Sequence, residues 1–200
     1  MRVLVAEDDP LIARGLVERL RSLGHEPLGP AADGLEAVSL ARENPPDLYL
    51  FDIEMPNLDG LETALRLASD GLRRPVVVVT GVDDPGLIER SIASGVSAYL
   101  TKPVDARELE AALGLAAARH AEFQALESEV DRAQQALEDR KLVERAKGLL
   151  MSALKLSEQD AFRRLQQTAR ERNLRLATVA ARIVEQQSLL EPPRKRLDAD

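Results

Sequence analysis

Cysteine is absent from the 200 residues, which excludes a disulfide scaffold and thiolate metal sites and suits a reducing compartment. Tryptophan is absent as well, and aromatic residues make up only 2% of the chain. An interior must therefore be built from Leu, Val, Ile and Ala, which the 44% hydrophobic content allows. No apolar run approaches the length of a bilayer span, Val76–Val79 being among the longest. The opening MRVLVAEDD meets acid too early for a signal peptide. The expectation is a soluble, cytoplasmic protein with no membrane partner, long enough for one large domain or two small ones.

The net charge of −7 averages over unlike regions. Residues 1–118 carry 11 Lys/Arg against 20 Asp/Glu, and residues 119–139 carry 2 against 6. Residues 140–190 reverse the sign, with 11 against 5, and the tail EPPRKRLDAD balances at 3 against 3. An acidic front and a basic back suggest modules with different partners.

Through residue 118 short apolar runs alternate with amphipathic segments, the pattern of an α/β, doubly wound, five-stranded parallel sheet. The expected strands are Arg2–Ala6, Glu26–Leu28 (the weakest), Leu48–Phe51, Val76–Val79 and Ala98–Leu100. Asp9-Pro10 and Asp84-Pro85 each place an N-cap before a proline at the first helical position. Asp33 with Glu36, and Asp105 with Glu108, read as capping boxes, and Gly24 as a left-handed helix end.

From Asp105 to about Arg140 there is no proline and only one glycine. Leu109, Leu113, Ala116, His120, Phe123, Leu126, Val130, Ala133 and Leu137 recur at steps of mostly three and four. That spacing is a coiled-coil seam or, alternatively, the stripe of a helix packed on its own domain. The last third predicts a small all-α module of three short helices over Leu142–Leu154, Glu158–Glu171 and Leu176–Leu190, the second begun by Ser157 as N-cap. The predicted divisions are 1–118, a linker helix 119–139, a helical domain 140–190 and a disordered tail 191–200.

The carboxyl ends of parallel strands frame a ligand crevice. Glu7, Asp8 and Asp52 belong there, and carboxylates so gathered call for a hard cation such as Mg²⁺. Thr80 and Lys102 arrive from the fourth and fifth strands, so a hydroxyl and an ammonium join the acids around one point. That set could neutralise a phosphoryl group.

The strings AEDDP, LFDIEMPNLDG, VVVVTG and AYLTKP, in this order, resemble a two-component receiver domain of flavodoxin-like fold. The resemblance implies Asp52 as phosphoacceptor and Glu7 and Asp8 as the acidic pair. It implies metal held by Asp8, Asp52 and the backbone carbonyl of Glu54, with Thr80 and Lys102 gripping the phosphoryl group. Tyr99 would be the switch aromatic, and Lys102-Pro103 a cis peptide. A sensor histidine kinase is the implied donor.

The stretch from Asp139 to Leu189, through AKGLLM, LSEQDAF and VAARIV, resembles the ANTAR domain of antiterminator regulators. That implies phosphorylation-promoted homodimers that bind paired RNA hairpins and prevent a terminator from forming. Arg145, Lys147, Gly148, Arg170 and Arg172 are the candidate RNA contacts, with Lys147, Gly148 and Met151 on a face away from the core. Gly148 reads either as close approach of RNA backbone or as tight helix packing. Lys155 departs from the family, which usually has Gly there.

A DNA-binding regulator or a coiled-coil scaffold are the alternatives, although no helix-turn-helix turn is evident. A catalytic output finds no Cys nucleophile, Gly-rich phosphate loop or HExxH pattern. The chain is expected not to be an enzyme beyond self-catalysed phosphotransfer and dephosphorylation at Asp52.

Overall fold

The computed structural model describes residues 1–81 and 95–188. The helix start expected at Asp84-Pro85 and the tail from residue 191 lie outside the described residues. The elements are β1 (Arg2–Ala6), α1 (Pro10–Ser22), β2 (Glu26–Ala31), α2 (Gly34–Glu43), β3 (Leu48–Asp52), α3 (Gly60–Ser69), β4 (Val76–Thr80), β5 (Ala98–Thr101), α4 (Ala106–Leu154), α5 (Glu158–Glu171) and α6 (Leu176–Ser188). They fall into two compact units, Met1–Ala125 and Leu126–Asp200.

In the first unit five strands pair in parallel in the order β2-β1-β3-β4-β5. The strand order reverses between β1 and β3, which opens a crevice at their carboxyl ends. Alternation along each strand divides the interior in two. Leu4, Ala6, Tyr49, Phe51, Val76 and Val78 face α2 and α3, through Ala37, Val38, Leu61 and Leu67. Val3, Val5, Leu48, Leu50, Val77 and Val79 face α1 and the start of α4, through Leu16, Leu20, Leu109 and Leu113. Burial on both sides explains why these strands read as unbroken apolar runs. β2 extends three residues beyond expectation, carrying Pro27 and Pro30 on the sheet edge, where missing donors are tolerated.

The caps follow the sequence. Asp9 accepts from Leu11 and Ile12, Asp33 from Glu36, and Asp105 from Arg107 and Glu108. Ser157 accepts from the Asp160 amide, and Gly24 is left-handed at φ 77°. One cap escaped the sequence reading: Asp59 accepts from Glu62 to start α3.

Two expectations about the long helix need correction. No break separates the predicted linker helix from the predicted helix Leu142–Leu154; α4 is one element of 49 residues. No proline or cap residue with a turn interrupts Asp139–Leu142, so the hydrogen-bond ladder continues. The repeat of apolar residues along it also divides in two. Leu109, Leu113 and Ala116 are fully buried in the sheet core, whereas Phe123, Leu126, Val130 and Leu137 are about half exposed. Steps of three and four serve a core stripe and an intermolecular seam equally, so spacing could not divide them.

Tyr49 is sealed in this unit, stacked on Phe51 at 5.1 Å and donating its hydroxyl to the Leu72 carbonyl at 2.8 Å. Burial pushes its phenol up from 10.0 to about 12. A raised folded value means that Tyr49 favours the fold below the unfolded pKa and loses that contribution as pH rises through about 12. In a Tyr99→Phe variant the one remaining phenol is therefore expected to ionise near pH 12, together with loss of structure, in an ultraviolet titration. Ionisation at the ordinary tyrosine pH with the fold intact would contradict this placement.

The second unit is a three-helix packing of the end of α4 with α5 and α6. Ala146, Leu165, Ala169, Val179, Ala180 and Val184 form its buried centre. Ala153, expected in the apolar stripe, is exposed because the helix is ending there. Lys155 adopts φ 52°, so the left-handed turn is kept despite the side chain. Among the described residues no helix is long and apolar enough to cross a membrane.

Candidate functional site

β1, β3, β4 and β5 end side by side, and at or just past their last positions they deliver Glu7 and Asp8, Asp52, Thr80 and Lys102 respectively. Glu7 and Asp52 are buried, at 2% and 5% exposure, while neighbouring Asp8 opens to solvent. One carboxylate oxygen from each of the three lies within 4.8 Å of the others. Lys102 reaches in from the end of β5. Its Nζ is 2.9 Å from Asp52 Oδ2, 3.0 Å from Glu7 Oε1 and 2.7 Å from Glu7 Oε2. Both Glu7 oxygens are thus engaged by the one ammonium, the Oε2 contact being the shortest in the site. Thr80 is fully buried at the end of β4, and its carbonyl accepts from the Lys102 amide at 2.8 Å.

Burial pushes the Glu7 carboxyl above its ordinary value, and the Asp52 charge adds to this against the opposing pull of Lys102. Burial alone would lower Lys102, but the hydrogen bonds to Glu7 and Asp52 more than offset it and hold the ammonium above its usual range. The site thus holds a fixed cation, and its three clustered carboxylates, with Asp8 open to solvent, form an all-oxygen donor set that fits a hard divalent cation.

The loop after β3 is drawn tightly over the site. Gly60 donates to the Ile53 carbonyl at 3.0 Å, and a Cβ added there would collide with the Asp52 carbonyl oxygen. Asn57 turns the loop at φ 63° and its amide donates to Asp33 at 2.7 Å. The Glu54 amide faces Asp52 Oδ1 at 3.4 Å, a distance too long for a strong bond.

In the helical unit, Arg145, Arg170 and Arg172 are exposed. Lys147 is not on an outward face, as the sequence suggested. Its side chain is 11% exposed, with Nζ 2.7 Å from Glu158 and 2.9 Å from Glu144. It also lies 5.9 Å from the centroid of the Phe162 ring. Glu158 stands eleven residues ahead, across the turn between α4 and α5, which is why spacing within α4 gave no hint of it. Gly148 is exposed, with nothing within 4 Å of where a Cβ would stand, so tight packing within the unit does not explain it.

Comparison with known proteins agrees with this division. Residues 3–114 match the family model of the response regulator receiver domain, and residues 131–184 match that of the ANTAR domain. The chain belongs to the response regulators. It is 44% identical over 184 residues to the transcriptional regulatory protein PdtaR of Mycobacterium tuberculosis, spanning 92% of this chain and 89% of that one. Among solved structures, the receiver domain of a NarL response regulator from Mycobacterium tuberculosis superposes with a TM-score of 0.54 at 32% identity, over 57% of this chain and 94% of that one. The receiver of a modulated diguanylate cyclase from Desulfovibrio desulfuricans gives 0.55 at 38%, over 59% and 94%.

This response regulator is therefore a phosphorylation-controlled signalling protein whose receiver answers to a histidine kinase and whose ANTAR domain is its RNA-binding antitermination output. The receiver brings together Glu7, Asp8, Asp52 and Lys102, with Thr80 on the adjoining strand. Tyr99 stands on β5, half buried against the core on the α2–α3 side of the sheet. Lys102-Pro103 is cis, as the resemblance implied; a second cis peptide at Gly29-Pro30 carried no sequence signal.

Proposed function

We propose that Asp52 takes a phosphoryl group from a sensor histidine kinase or a small acyl phosphate, and that this governs binding of hairpin RNA by a homodimer to promote antitermination. Lys102 Nζ within hydrogen-bond reach of both Asp52 and Glu7, beside open Asp8, is the observation that carries the reading. An Asp52 oxygen attacks phosphorus while the bond to the donor's nitrogen or oxygen breaks, its electron pair leaving with the donor. Lys102 then exchanges one carboxylate for a phosphoryl oxygen, and Thr80 donates its hydroxyl to another. Tyr99 turns inward beside Thr80. Attack by water on the same phosphorus restores Asp52, and the chain catalyses nothing beyond these self-reactions.

Glu7, Asp8, Asp52 and the Glu54 carbonyl are the groups that would hold Mg²⁺, which when bound supplies positive charge to the phosphoryl oxygens. The acyl phosphate adds roughly −1.5 to −2 charges if it titrates as an ordinary phosphomonoester. Phe123, Leu126, Val130 and Leu137 supply an apolar row for a coiled-coil dimer. The domain divisions 1–118, 119–139, 140–190 and 191–200 accord with this use, and a kinase-fed, transcript-binding regulator works in the cytoplasm.

Hairpin-RNA binding by wild type and Asp52→Asn, with and without acyl phosphate and Mg²⁺, tests the reading. The phosphodonor is expected to strengthen binding in the wild type alone. Equal strengthening in both proteins sinks Asp52 as the switch, and preference for duplex DNA at matched salt sinks the RNA output.

A further inference from the structure

We infer that the RNA-docking surface of the ANTAR domain is a stripe on the solvent side of α4 and the turn after it, formed by Lys141, Arg145, Gly148, Ser152 and Lys155, and that its occupant is the phosphate backbone of an RNA stem. This rests on the RNA reading above and names the face that serves it.

The first four follow within the helix at steps of four, three and four, so at about 100° per residue they line one face over roughly 16 Å, and Lys155 stands just beyond them in the left-handed turn. All five are exposed. The core-facing residues of the same helix, Leu142, Val143, Ala146, Leu149 and Leu150, lie on the other side. Arg145 and Lys155 make no ion pair among the described residues, and Lys141 meets only exposed Glu138. Two charges thus stand uncommitted where the helix meets water.

Gly148 sits in the middle of the row. An interior glycine weakens a helix, and no neighbour in the domain comes near enough to require it. What remains is something from outside that must approach the peptide backbone closely, between a cation on either side. Gly114 is equally open, but the positions three before and four after it are Ala111 and Ala118, so it marks no such row. A sugar–phosphate chain fits a cation–gap–hydroxyl–cation sequence, since affinity for nucleic acid comes largely from phosphate neutralisation.

Lys147 stands outside the row. It is turned towards Glu144 and Glu158, the two carboxylates that would otherwise repel a phosphate beside Gly148. It is a positioning residue, which neutralises the rim and does not touch the ligand.

The test uses the full chain with acyl phosphate and Mg²⁺ present, and a library of stem–loop RNAs with a fixed stem and randomised loop, first enriched on wild type. Arg145→Gln and Lys155→Gln are each expected to weaken binding about tenfold and to reduce the slope of log affinity against log salt by about one. Gly148→Ala is expected to weaken binding about tenfold without lowering the melting temperature. Lys147→Met is expected to lower the melting temperature while leaving the salt slope unchanged. Wild-type binding with Arg145→Gln, Lys155→Gln and Gly148→Ala all unchanged overturns the stripe but not the RNA reading. Failure of the wild type to enrich any stem–loop overturns both. A change of dimer mass in Gly148→Ala by sedimentation would give the face to a second copy and overturn the proposal, as would equal binding of duplex DNA of the stem sequence.

Discussion

Lys102→Met is expected to lower the stability of the receiver by about 2–3 kcal/mol near neutral pH, read by chemical unfolding without divalent metal. The estimate is the loss of charge-assisted hydrogen bonds from a mostly buried ammonium to two buried carboxylates. Its pH dependence follows from Glu7, whose folded pKa is raised. A raised value means the group favours the fold below its unfolded pKa, and that contribution disappears as pH climbs through the folded value. The defect in Lys102→Met should therefore shrink on acidification, when Glu7 takes a proton, and shrink again when Mg²⁺ is added. Glu7→Gln is the opposite case: it removes a buried charge that the fold disfavours, so it should stabilise the receiver while weakening Mg²⁺ binding. A Lys102→Met protein as stable as wild type at every pH would show that the three groups do not share one buried site.

Leu165→Ala is expected to cost the ANTAR domain about 3 kcal/mol, from the range for a buried leucine cut to alanine. Leu165 is fully buried, and the domain's buried centre holds only small or branched residues around it: Ala146, Ala169, Val179, Ala180 and Val184. With no aromatic side chain there to shift into the gap, relaxation is limited. Most domains of this size have little stability to spare, so the variant should lose the helical signal of α5 and α6 and its RNA binding. Phosphorylation of Asp52 should proceed at the wild-type rate, because no residue of the acid site belongs to this unit. Loss of Asp52 phosphorylation in parallel would show that the two units do not fold independently.

The acid site was legible because its chemistry demands particular residues at particular strand ends, and apolar runs mark those ends plainly. Asp52 could be placed because the apolar run Leu48–Phe51 leads straight into it and the matching strings at the other strand ends stand in the same order. Asp9 and Asp33 declared their helices by a simple local rule, and Asp59 obeyed the same rule, with Glu62 three residues on, yet lay hidden inside the loop motif. Lys147 was misplaced because its partner Glu158 lies beyond a turn, and no periodicity within one helix encodes a contact to the next. Leu109 and Phe123 show the same limit on a larger scale. Both obey one repeat, yet one is buried under the sheet and the other half exposed, and only tertiary placement separates them.

Having just two tyrosines and no tryptophan also makes this protein its own optical instrument. One ring is immobilised against Phe51 in the interior; the other is partly exposed on the strand that leads into Lys102. A rapid change in intrinsic emission on addition of a phosphodonor is then expected from Tyr99, and a Tyr99→Phe variant that keeps the change would assign it to Tyr49 instead.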